Sequence, residues 1–143
     1  MREVRGNIWD HLNKTNIVIC ITTNGFVKKN GECVMGKGNA LEPTKVYPNV
    51  RKILGELITS NGNIVQPIIN NLIAFPVKHN WYEDADIELI IKSANSLKEI
   101  AEKNKEIFFL LPYPGCGNGN LEWDFVKSKI DSILPDNVLA ITW

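Results

Sequence analysis

The chain has 143 residues, 44% of them hydrophobic, enough to bury a core without metal or disulfide staples, and the length predicts a single domain over 1–143. Its 16 Lys plus Arg balance 16 Asp plus Glu, so no basic field exists to drive strong nonspecific nucleic-acid binding. The 3 cysteines lack CxxC spacing, which argues against a disulfide framework or zinc site and for a reducing, cytoplasmic setting, and no apolar run approaches the roughly 20 residues needed to cross a membrane.

Val18 to Thr22, a run of β-branched and apolar residues between polar asparagines and a glycine, predicts a buried central strand. The chain then loops from Thr23 to Glu32, and an apolar strand is expected before the glycine loop Val34-Met35-Gly36-Lys37-Gly38-Asn39-Ala40-Leu41. Val50, Ile53, Leu54, Leu57 and Ile58 follow helical spacing, with Asn61-Gly62 as the stop. Ile68 to Val77 reads as a returning strand. Ile87, Ile90, Ile91, Ala94, Leu97 and Ala101 mark the longest helix, capped by Asp84 or Asp86. A strand from Ile107 to Leu111 leads into a second glycine loop, Pro114 to Asn120. The last helix carries Trp123, Val126, Ile130 and Ile133 on one face, with Trp123 assigned mainly to the core, and Val138 to Thr142 closes the sheet.

Strands alternating with helices predict an α/β arrangement, in which ligands sit beyond the carboxyl ends of the strands. Both glycine loops, Asn24 and the Lys78-His79 pair are expected on that rim. Glycines let a backbone approach a ligand closely, and free amides near a helix N-terminus favour an anion, so two such loops point to a diphosphate-containing ligand. Each loop also has a plain reading as a tight turn, and neither matches GxxxxGK[ST]. Asn24 is either a ribose contact or an Asn-Gly turn. Lys78, flanked by Pro76, Val77 and Trp81, is either a surface charge or a desolvated amine able to attack an anomeric carbon. His79 is either a proton carrier or a loop histidine without chemistry, Cys116 a thiol near a helix start or a loop-filling residue, and Trp81 either a cleft wall or a packing anchor. The histidines, cysteines and acids have no metal-ligand spacing, so no metal and no cofactor are expected.

Four segments taken in order resemble the macrodomain family over nearly the whole chain. Gly6-Asn7-Ile8 is similar to its early Gly-Asp-Ile motif, Thr22-Thr23-Asn24 to the segment with its ribose-contacting asparagine, and Val34 to Gly38 and Gly115 to Trp123 to its two ligand loops. Phe75-Pro76-Val77-Lys78-His79-Asn80-Trp81 resembles the branch of DarG antitoxin macrodomains and terminal ADP-ribose glycohydrolases. The resemblance implies a three-layer α/β/α fold with a mixed, largely parallel sheet. It also implies a hydrolase that removes ADP-ribose from a protein acidic side chain or a DNA base, with Lys78 catalytic and Asn24 orienting the distal ribose; the small size of the chain separately points to a monomer. Asn7, Ile8, Thr23, Met35, Gly36, Lys37, Gly38 and Asn39 would contact ligand from one side. Gly115, Cys116, Gly117, Asn118, Gly119 and Asn120 would do so from the other. A non-catalytic ADP-ribose binding module and an ADP-ribose 1''-phosphate phosphatase are the alternatives. Asn7 stands where the family has an adenine-contacting aspartate, Asn39 where an apolar residue is common, and the acid that assists the lysine in animal relatives falls near Gly119.

Overall fold

The computed structural model describes residues Met1–Trp143. Six strands form one sheet in the order β1-β6-β5-β2-β4-β3: β1 is Arg2–Arg5, β2 Ile17–Asn24, β3 Gln66–Ile69, β4 Leu72–Lys78, β5 Phe108–Pro112 and β6 Val138–Thr142. Every pairing is parallel except β3 with β4. Four helices cover it: α1 Glu42–Val46, α2 Val50–Asn61, α3 Ile87–Lys103 and α4 Trp123–Ile130.

The period of two along each strand divides the core into two layers. Cys20, Phe75, Val77, Phe109 and Leu111 face Ile90, Ala94 and Leu97 of α3 and Val126 and Ile130 of α4. Ile19, Ile21, Leu72, Ala74 and Leu110 face Val50 and Leu54 of α2 together with Cys33 and Met35. The fold is therefore the three-layer α/β/α arrangement with a mixed, mostly parallel sheet.

Several elements differ from expectation. The segment 68–77 is a hairpin, because Asn70 takes a φ of 49° and turns the chain between β3 and β4. Asparagine tolerates that left-handed conformation better than other non-glycine residues. Strand β1 carries no apolar alternation, being Arg-Glu-Val-Arg on a sheet edge, so its sequence has no strand signal. No strand precedes the first glycine loop. Residues 27 and 33 form an isolated bridge, and the segment is held by Cys33 N–H on Arg51 O at 2.9 Å. Helix α3 is capped by Asp86, whose side chain accepts from Glu88 N–H, while Asp84 accepts from Asn120 instead.

Two details of topology prepare a cleft. The chain leaves β2 toward β4 and β3 on one side, then crosses through α3 to β5 on the other, so the carboxyl ends of β2 and β5 form a topological switch point. The β2–β5 ladder stops at Ile19↔Leu110, while β5 continues along β6 to Pro112. Beyond that point the two strands part.

Candidate functional site

A cleft of about 540 Å³ opens where β2 and β5 separate. Its size falls in the range of about 300–1,000 Å³ usual for small-molecule sites. Thr22, Thr23 and Asn24 of β2 form its floor, with the segment from Val34 to Ala40 along one wall. Val77, Lys78 and Trp81 stand at the β4 end, Pro112 and Tyr113 at the β5 end, and Gly115, Gly117, Asn118 and Gly119 form the opposite wall.

The first wall is pinned by one side chain. Asn39 Oδ1 accepts from Thr22 N–H at 2.9 Å and from Thr22 Oγ1 at 2.7 Å, and its Nδ2 donates to Cys20 O at 3.0 Å. Thr22 N–H and Cys20 O are backbone groups on β2 beyond its last pairing with β5, so an asparagine amide takes over the ladder of a missing strand. Asn39 is thus a structural clamp that sets the Gly36–Gly38 loop over β2. Asn24 is similarly committed: its Nδ2 donates to Val34 O at 2.9 Å and its Oδ1 accepts from Phe26 N–H at 2.9 Å. Thr23 is 4% exposed and its Oγ1 has no hydrogen-bond partner.

Lys78 sits where the walls meet. The β2–β4 register shifts after Thr23↔Pro76 so that Asn24 pairs with Lys78, which turns the lysine over the cleft. The β3 ladder ends opposite Ala74, so Pro76 falls where a missing N–H disturbs the sheet least. Lys78 Nζ donates to Asn118 O at 3.1 Å, and its carbonyl accepts from Asn63 Nδ2 at 3.0 Å. Asn63 is a positioning residue that sequence reasoning missed, since nothing local marks it. A Cβ on Gly38 would stand 3.2 Å from Asn118 Nδ2, so the two glycine loops approach each other at this point.

The second wall needs its glycines for conformation and for space. Gly115 has a φ of +76°, and a Cβ on Gly119 would meet Gly115 O at 2.4 Å. No residue of α4 lines the cleft, so the amides available to an anion belong to the loop rather than to the helix start. Trp123 is half-buried and packs against the core at its margin: it stacks on Tyr113 with centroids 3.8 Å apart and planes 5° apart, and its Nε1 donates to Glu3 at 2.9 Å. Lys127 also donates to Glu3, and together these bonds hold the Glu3 carboxyl below its ordinary range.

Among the predicted residues, Thr23, Asn24, Met35, Gly36, Lys37, Gly38 and Asn39 line the cleft with Lys78. From the second loop Gly115, Gly117, Asn118 and Gly119 line it as well. Asn7, Ile8, Cys116 and Asn120 do not. Asn7 caps a 3-10 turn by accepting from Trp9 N–H at 3.0 Å, Ile8 is buried in the core layer with Ile19, Ile21 and Leu54, and Asn120 is tied outward to Asp84. The Cys116 thiol is pushed up to about 11 by burial and then by Glu122, which argues against an activated thiol. His79 also lies outside the lining, its Nε2 2.8 Å from Asp86 Oδ2, so it anchors the start of α3. Phe26 and Lys28 line the cleft without having been anticipated.

The charge in the cleft is one-sided. Lys28, Lys37 and Lys78 line it, no aspartate or glutamate does, and none of the three lysines is in a salt bridge. In a chain of zero formal net charge this concentrates positive potential at the site. A concave basic cleft between two glycine walls at a switch point suits a phosphorylated, nucleotide-sized anion.

The arrangement is the macrodomain fold. The macrodomain of Mycobacterium tuberculosis DarG superposes with a TM-score of 0.72 at 20% identity, covering 98% of this chain and 95% of that one. Thermosipho africanus DarTG in complex with ADP-ribose superposes with a TM-score of 0.71 at 19% identity, covering 99% of this chain and 41% of that one. The DNA ADP-ribosyl glycohydrolase of Thermus aquaticus is 26% identical over 146 residues, which takes in 94% of this chain. The chain spans 38% of the length of that curated relative. No protein-family model matches. The chain therefore has the macrodomain fold and is similar in sequence to a DarG-type glycohydrolase.

Proposed function

We propose that this chain binds ADP-ribose and hydrolyses its bond to a modified macromolecule, with Lys78 at the reacting carbon. The observation that carries this reading is the placement of the Lys78 ammonium at the junction of the two glycine walls, beside two further lysines without carboxylate partners. The relatives support it: one is named a DNA ADP-ribosyl glycohydrolase and another holds ADP-ribose. The diphosphate would lie between the loops, on their amides and on Lys37, with the distal ribose over β2 and its anomeric carbon toward Lys78. Water would add to that carbon as its bond to the macromolecule breaks and the leaving atom takes a proton. In the arrangement seen, Nζ donates to a carbonyl, which favours an electrostatic role for Lys78 over a covalent adduct. Thr23 and Asn24 then act through the shape of the floor, and the remaining anticipated contacts, Asn7, Ile8, Cys116 and Asn120, would need the ligand to extend beyond the cleft.

The second reading is a binding module without turnover, and it is favoured by the absence of any carboxylate or histidine among the cleft-lining residues. Calorimetry with ADP-ribose, paired with release assays on ADP-ribosylated protein and DNA, separates the two. Lys78→Ala is expected to retain binding within about tenfold and to lower release by at least about a hundredfold, the scale of a lost charge-stabilising group. Tight binding with no release by the wild type would establish the module, and no binding would refute both readings.

A further inference from the structure

Four asparagines are followed directly by glycine: Asn24-Gly25, Asn30-Gly31, Asn61-Gly62 and Asn118-Gly119. Such a pair can cyclise, because a glycine amide carries no side chain to hinder its attack on the neighbouring asparagine carboxamide. In three of the pairs the reacting groups are held. Gly25, Gly31 and Gly62 donate their N–H groups to His79 O, Lys28 O and Ile58 O at 3.1, 2.9 and 2.8 Å. The Asn24 amide is bonded to Val34 O and Phe26 N–H, the Asn30 amide to Glu32, and Asn61 Nδ2 to Gln66 Oε1. Asn118-Gly119 differs on each count. The Asn118 side chain is exposed and makes no hydrogen bond within the protein, and Gly119 N–H has no partner. Asn118 Nδ2 lies against the opposite wall, 3.2 Å from where a Cβ on Gly38 would stand, and the Asn118 carbonyl accepts from Lys78 Nζ at 3.1 Å.

We infer that Asn118 is a site of spontaneous deamidation, and that the carboxylate it gains closes the cleft to an anionic ligand. Gly119 N attacks Asn118 Cγ to form a five-membered imide. The Cγ–Nδ2 bond breaks, and the amide nitrogen leaves as ammonia with the proton lost from Gly119 N. Water then opens the ring at either carbonyl, releasing a proton and leaving one negative charge on residue 118. Opening at Cγ gives aspartate on the original backbone. Opening at the backbone carbonyl carbon gives isoaspartate, in which the chain runs through Cγ. The freed carboxylate is then the same group that faces Lys78 Nζ. The cleft has no other carboxylate among its lining residues, so the new charge pairs with the Lys78 ammonium and repels a phosphate between the walls. Gly119 lines the cleft, so an anion held on its N–H restrains the attacking group and slows the reaction. The effect on ligand rests on the ADP-ribose reading, whereas the modification rests on the loop alone.

The test ages purified protein at mildly alkaline pH, folded and in urea, and follows each Asn-Gly pair by peptide mass and by enzymatic methylation of isoaspartate. In folded protein Asn118 is expected to convert at least about tenfold faster than Asn24, Asn30 and Asn61, the effect of one or two hydrogen bonds that must first break. That gap should close in urea. Asn118→Gln, which would have to form a six-membered ring, should show no conversion at this position, and free ADP-ribose present during ageing should slow conversion at Asn118. The deamidated fraction, separated by anion exchange, is expected to bind ADP-ribose at least about tenfold more weakly than unaged protein, the scale of one adjacent like charge. Asn118→Asp should reproduce that loss. Conversion of Asn118 no faster than the other three in folded protein would overturn the site. Conversion with undiminished affinity would overturn the closure. Failure of unaged protein to bind ADP-ribose would remove the functional reading and the closure with it, while the peptide masses still decide whether Asn118 is the reactive pair.

Discussion

Asn39 shows how much one side chain can decide at the cleft. Its amide satisfies Thr22 N–H, Thr22 Oγ1 and Cys20 O, all on the strand that forms the floor. Leaving a buried donor and acceptor unpaired costs about 1–3 kcal/mol each, so Asn39→Leu is expected to lower stability by a few kcal/mol in urea denaturation. It should also weaken ADP-ribose binding, because the Gly36–Gly38 wall loses its attachment to β2. Retained stability in that variant would show that water replaces the clamp. The identity of this residue was legible in the sequence only as a departure from a family pattern. Its partners come from β2, 17 residues away for Thr22 and 19 for Cys20, and no local spacing encodes such a contact.

Among the elements, α2 has a special relation to the segment that brings Lys28 to the cleft. A Cβ at Gly55 would lie 1.9 Å from Gly31 O and 3.0 Å from Cys33 N, so the helix and the loop touch backbone to backbone. Although alanine is the better helix former, Gly55→Ala is expected to destabilise by about 1–3 kcal/mol or more through overpacking. A gain in Tm would show that the loop yields freely. Edge strand β1 depends on a different device. Glu3 accepts from Lys127 and Trp123 on α4, which holds its carboxyl below the ordinary range. Because the folded value is depressed, the stabilisation is present above the unfolded carboxylate range near about pH 4.5 and is lost as pH falls through the lower folded value. Glu3→Gln should flatten that part of the acid limb in a plot of Tm against pH, modestly because the group is exposed. An unchanged limb would assign the acid sensitivity to other carboxylates, such as Asp86, whose carboxyl His79 also holds low.

Over the whole molecule, charge is balanced in number and unbalanced in place. The 16 basic and 16 acidic residues cancel, yet the cleft presents three lysines and no acid. Affinity for ADP-ribose is therefore expected to fall as salt shortens the screening length from about 30 Å at 0.01 M to about 8 Å at 0.15 M. The decrease should shrink in Lys37→Ala, measured by calorimetry across that range. Salt-independent binding would mean that neutral loop amides hold the phosphates without help from the lysines. The same separation of number and place explains why balanced composition argues against a strong nonspecific nucleic-acid binder and yet leaves room for a basic ligand site.

Sequence alone determined the layered α/β arrangement, because periods of two and near four are properties of consecutive residues. It also marked the two glycine loops and Lys78 as one candidate set, through the order of motifs along the chain, and they line one cleft. The hairpin at Asn70 was legible in principle, whereas β1 was not, since a charged edge strand has no apolar alternation to read. Tertiary structure decided which marked residues meet. The parting of β2 and β5 opened the cleft, the register shift before Lys78 turned its amine over it, and the fold tied Asn7 to Trp9 and Asn120 to the distant Asp84, away from it. Lys28 became a neighbour of the site only there, because its placement rests on long-range backbone contacts between β2, β4 and the loops that follow them.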